Sequence, residues 1–135
     1  MGKYTDIQNA IVEKYRIKLD PNSKCWQRTH VHVRERRVCK WKQANSFAST
    51  FTLLHEVGHI ENHCVRDRMA EDEYHATVWA IDRCIEYGLE IPEKMLKEYQ
   101  DYIDMEVDRG KRRGGSCYPR MDLKAYYDSA KEFNR

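Results

Sequence analysis

The stretch Phe51-Thr52-Leu53-Leu54-His55-Glu56-Val57-Gly58-His59 constrains this chain more than any other, because it contains His-Glu-x-x-His. Residues four apart on a helix sit about 40° apart around the axis and one turn along it. His55 and His59 can therefore aim two imidazoles at one point, and neutral imidazole is a good ligand for Zn2+. Glu56 lies roughly 100° round from His55. Its carboxylate then stands beside such an ion rather than on it, where it can take a proton from water. Asn45 and Ser46 offer N-capping side chains upstream, and Phe47, Phe51 and Leu54 recur at helical spacing, widened by Leu53, Val57 and Ile60. The histidines are thus expected on a helix anchored by a strong apolar face.

A catalytic zinc needs three protein ligands and an open corner. His63 follows His59 by four, but three ligands along one straight helix would span about 12 Å, so His63 is expected at the rim. The third ligand should come from the next helix, expected from about Ala70 to Leu89 with Gly88 and Pro92 at its end. Its candidates are Glu71, Glu73 and His75. Glu73 heads a stripe of small residues, Ala76/Thr77, Ala80 and Cys84, which lets two helices press close. His75 heads a bulkier, more polar stripe. Glu73 is the expected ligand and His75 the alternative, while Glu71 and Asp72 suit the helix dipole.

The remaining segments give an α+β class: a small antiparallel hairpin or sheet beside a bundle of about four helices. A first helix is expected from about Thr5 to Leu19. Between Cys25 and Trp41 the period changes to two, with Thr29, Val31 and Val33 alternating with Arg28, His30, His32 and Arg34, which reads as a hairpin. His30 and His32 share a strand face, a metal-compatible spacing. No carboxylate or cysteine is expected to accompany them there, so they read as exposed strand histidines. Another helix is expected from Pro92 to about Val107. The run Arg109-Gly110-Lys111-Arg112-Arg113-Gly114-Gly115 should break it, leaving residues 1–110 as one domain and 111–135 as a joint and a helical tail.

Composition narrows the functional classes. The 135 residues carry a net charge of only +2, no global signature of a nucleic-acid binder. The basic hairpin (Arg28, Arg34, Arg36, Arg37, Lys40, Lys42) and the Arg109–Arg113 run keep a nucleic-acid-binding protein as one alternative. No apolar run approaches the roughly 18 residues that span a bilayer, and the N-terminus lacks a signal-peptide core. A cytoplasmic protein without a membrane partner is expected. The five cysteines, Cys25, Cys39, Cys64, Cys84 and Cys117, include no Cys-x-x-Cys and are expected to be reduced, mostly buried thiols.

Phe-Thr-Leu-Leu-His-Glu-Val-Gly-His at 51–59, followed by Glu73-Tyr74-His75-Ala76-Thr77-Val78-Trp79-Ala80, resembles the paired signature of the ImmA/IrrE family of small zinc metallopeptidases. The family's phrases are of the type F-T-x-x-H-E-x-G-H and E-x-x-A…[FW]-A. The resemblance runs from about Trp26 to Ala80. It implies a Zn2+ cofactor held by His55, His59 and Glu73, with Glu56 as catalytic base. It also implies an intracellular protein substrate in bacteria or their mobile elements, a helix-turn-helix repressor among the family's targets. His75 stands where the family often has Glu, and Thr77 where it usually has Asn or Asp, which leaves the third ligand open between Glu73 and His75. The oxyanion stabiliser is open between Tyr74 and His75. The other alternative class is a non-catalytic interaction module that keeps its metal for folding.

Overall fold

The computed structural model describes residues 2–22, 28–62, 69–112 and 121–134. The readings of His63, Cys25, Cys64, Cys117 and the basic run beyond Arg112 fall outside these residues. The class is α+β: among the described residues there are five helices and one three-stranded sheet. The chain divides into two compact units, Met1–His63 and Cys64–Arg135.

The first unit holds α1 (Lys3–Lys14), β1 (Lys18–Asp20), β2 (His30–His32), β3 (Arg37–Cys39) and α2 (Phe47–Glu61). Helix α1 stops earlier than its apolar spacing suggests. Tyr15 leaves helical geometry and Arg16 takes a left-handed φ of 52°, which turns the chain into β1. Ile17 is buried from that turn rather than from the helix. Strand β1 pairs parallel to β3 and β2 pairs antiparallel to it, in the order β1-β3-β2. The hairpin is therefore the larger part of a mixed sheet. Val38 and Cys39 on the central strand are both buried. Neighbours on a strand point to opposite faces, so both faces of the sheet are covered at β3.

Polar contacts fix how these elements meet. Ser46 caps α2, its Oγ accepting from the Ser49 N–H at 3.2 Å. Asn45 caps α1 instead, accepting from the Tyr4 N–H at 3.0 Å. Gln8 is fully buried and donates to the Ala44 carbonyl and to Thr50 Oγ1, each at 2.8 Å. Trp41 donates from Nε1 to the Ser49 carbonyl at 2.9 Å, closing the chain from β3 onto the first turn of α2.

Arg36 ties three elements together. It ends the β2–β3 turn in the left-handed region, at φ 54°. Its guanidinium donates twice to the Tyr15 carbonyl at the end of α1, at 3.2 and 2.6 Å, and reaches Glu61 at 3.3 Å. The half-exposed ion pair contributes little, so the carbonyl bonds dominate. Arg36→Ala should cost about 1.5–3 kcal/mol in thermal or urea unfolding. Arg36→Gly should cost less, since glycine accepts positive φ freely. Equal losses in the two variants would count against the left-handed turn.

The second unit holds α3 (Met69–Glu86), α4 (Glu93–Arg112) and α5 (Leu123–Phe133), each packed on the other two. Gly88, at φ +68°, ends the α3 segment in the left-handed conformation that favours glycine. Helix α4 does not break at Arg109. It continues through Gly110 to Arg112, with Arg109, Lys111 and Arg112 in the last turn, where cations offset the helix dipole. Arg109 also donates to the buried Glu106 at 3.0 Å. The tail helix α5 packs back: Leu123 and Tyr127 are buried, and Tyr127 Oη accepts from the Ile91 N–H at 3.0 Å. Gln100 caps it, accepting from the Leu123 N–H and donating to the Met121 carbonyl, both at 2.8 Å. Tyr126 donates to Asp82 at 2.7 Å, and burial together with that carboxylate pushes its hydroxyl up to about 12. No described helix is long and apolar enough to cross a membrane.

Candidate metal centre

Helix α2 carries the pair that the spacing singles out. Phe51, Leu53, Leu54, Val57 and Gly58 are buried around the two histidines, so the helix is held by its apolar residues on either side of them. His55 and His59 are themselves buried, at 8% and 7% exposure. Their ring centroids lie 4.8 Å apart with the planes at 81°. That is the juxtaposition that residues one helical turn apart can offer a single ion. Glu56 lies toward the edge of this buried patch, its side chain 13% exposed, with Oε1 3.7 Å from His55 Nδ1. The carboxylate is thus beside the imidazoles, partly open to water and on the same rigid helix.

Helix α3 sorts the candidates for the third ligand by burial. Glu73 is buried, as are Ala76, Thr77, Ala80 and Cys84, the small residues of its stripe. His75 is exposed, and Glu71 and Asp72 are half-buried in the first turn. Thr77 donates to the Glu73 carbonyl at 2.7 Å. The Cys84 thiol lies further along this stripe, and burial pushes it up to about 12. It is an unreactive core side chain. Tyr74 is raised by burial and then by the charge of Asp122, which keeps its hydroxyl a neutral donor; its ring meets His75 edge-on at 5.6 Å.

His55 and His59 are buried on α2, and Glu73 is buried on α3; residues of these types could hold a metal ion. The chemistry of the set suits one: two imidazoles and a carboxylate offer lone pairs, and burying such groups without a counter-charge is costly. Comparison with known protein families, with curated proteins and with solved structures returns no match.

Gln8 is a fully buried polar residue of α1 that its residue type alone does not mark as one of the core. Ile11, buried, and Tyr4 and Val12, half-buried, lie at i+3, i−4 and i+4 of Gln8 and mark its side of α1 as facing the core.

Proposed function

We propose that this chain is a zinc-dependent metallopeptidase that hydrolyses a peptide bond in another protein, similar in kind to the ImmA/IrrE family. The observation that carries the reading is the buried His55–His59 pair on α2, with a carboxylate one residue after the first histidine and partly open to water. His55, His59 and Glu73 are the residues that would hold the ion. Zinc bound there supplies Lewis acidity for the scissile carbonyl and makes water a nucleophile near neutral pH. Glu56 takes the proton of the attacking water and returns it to the departing amine. The buried apolar residues around the pair limit bulk water, which strengthens the electrostatics acting on the carbonyl.

The substrate is an extended segment. Strand β2 lies at the edge of the sheet, and an edge strand can accept a peptide as a further strand through main-chain hydrogen bonds. A helix-turn-helix repressor is the substrate class that the family resemblance implies. The test uses the full chain dialysed against zinc and incubated with such a repressor and with unstructured peptides. Cleavage should stop with a chelator and return with zinc. His59→Ala should lose one equivalent of zinc together with hydrolysis. Retention of that equivalent in His59→Ala would sink the assignment.

A further inference from the structure

A second constellation of donors lies wholly within the first unit, on the hairpin. The antiparallel register sets His30 opposite Cys39 and His32 opposite Arg37. Residues directly opposite share a face, and so do residues two apart on one strand. His30, His32 and Cys39 therefore stand on one face. The expectation that no cysteine accompanies the two histidines fails here, because Cys39 arrives from the neighbouring strand. One ligand atom from each of the three lies within 4.8 Å of the others.

The local hydrogen bonding prepares His30 for a ligand. Its Nδ1 lies 2.9 Å from the Arg28 carbonyl oxygen. A carbonyl only accepts, so Nδ1 carries the proton and Nε2 carries the lone pair. That Nε2 is buried and has no hydrogen-bond partner among the described residues. A buried nitrogen lone pair with nothing to accept from is costly, and a cation would satisfy it. A backbone carbonyl behind the other ring nitrogen is also the usual support of a metal-binding histidine. The His32 ring sits 5.2 Å from that of His30, nearly perpendicular at 79°. His32 is exposed and free to adjust, whereas Cys39 is buried at 1%. Arg37, on the same face, has its guanidinium engaged by Glu35.

We propose that His30, His32 and Cys39 form a second metal site, for a borderline-soft divalent ion of the zinc class. Imidazole and thiolate are the donors zinc prefers, at about 2.0–2.1 Å for nitrogen and 2.3 Å for sulfur. Tetrahedral angles at those lengths put donors about 3.3–3.6 Å apart. The three donors reach that spacing by closing by about 1 Å, which the exposed His32 can supply. Three protein donors leave a fourth corner for water or for a donor from another molecule. Binding releases the Cys39 thiol proton to solvent. The ion bridges β2 to β3. Each of these strands is only three residues long, and a short hairpin is marginal without such a clip.

The site is independent of the proposed peptidase centre, whose donor set contains no sulfur, and this separates the two in one experiment. The reduced full chain is titrated with Co2+ and followed by absorption. Thiolate-to-cobalt charge transfer in the near ultraviolet should appear with one ion per chain. It should persist in a His55→Ala/His59→Ala double variant and vanish in Cys39→Ser. Because Cys39 is a core residue, His30→Ala and His32→Ala provide the second arm. Each should weaken the Co2+ affinity read from that band at least tenfold. Absence of the band in the wild-type chain overturns the site, as does a band that survives Cys39→Ser or is unaltered in both histidine variants.

Discussion

Replacing Glu56 with Gln is expected to leave the fold and the metal content unchanged and to lower peptide hydrolysis by about 10²–10⁴-fold, the usual worth of a positioned general base. Glutamine has the shape of glutamate but cannot take a proton at neutral pH. The substitution therefore tests chemistry rather than packing. Its side chain sits where it is 13% exposed and near, not between, the two imidazoles, so the amide meets no new burial. The outcome also divides the rival classes. A protein that keeps its metal only for folding shows no hydrolysis to lose, while the peptidase shows turnover that falls with unchanged zinc and thermal stability. A Glu56→Gln variant that hydrolyses as fast as the parent removes Glu56 from the mechanism. A variant that loses its metal would make Glu56 a ligand instead.

The parts legible in the sequence are those where local period and burial coincide. Helix α2 is readable because Phe47, Phe51 and Leu54 recur at helical spacing, Val57 widens their face, and Ser46 is a good cap. The preference for Glu73 over His75 on α3 rests on Ala76/Thr77, Ala80 and Cys84, small residues that mark a closely packed face, and these are buried. The parts that were not legible depend on distant pairing. Strand β1 is three residues long, and its one apolar residue, Leu19, is 42% exposed, so it has no period of its own; its parallel partner lies on β3. Cys39 joins His30 only through a register set by the four residues Val33 to Arg36, with Arg36 in a conformation that its residue type rarely adopts. Asn45 stands next to the cap of α2 in sequence yet serves α1 across the fold. Helix α4 passes through Gly110 because one glycine costs only about 1 kcal/mol, less than the favourable placement of basic residues around it can offset.

Phe51→Ala should be the most destabilising single change in the first unit, at about 3–5 kcal/mol. Its ring is fully buried and stacks on Phe47 with centroids 5.8 Å apart, and Phe47 in turn meets Tyr4 of α1 edge-on at 6.4 Å. Truncation removes both the transfer free energy of the ring and the dispersion contacts of its neighbours, and leaves a cavity that those neighbours relax only partly to fill. Just before it, Thr50 is fixed from two sides, accepting from Gln8 and donating to the Ser46 carbonyl at 2.9 Å. These bonds hold the backbone of the first turn in place, so collapse around the missing ring is restricted and the cost lies toward the upper part of the range. Stabilities of small domains are of the order of 5–15 kcal/mol, so this single ring accounts for a large fraction. Urea unfolding of the chelated protein is the proper measurement, since a bound ion would add its own stabilisation to the parent and mask part of the loss. The midpoint should fall with little change in slope. Phe51 also precedes His55 by one turn on the same side of α2, so the loosened helix should hold zinc less tightly even where it still folds. A loss below about 1 kcal/mol would mean that the ring is not packed as its burial and its stack on Phe47 imply, and the rigid platform assumed for the two histidines would go with it.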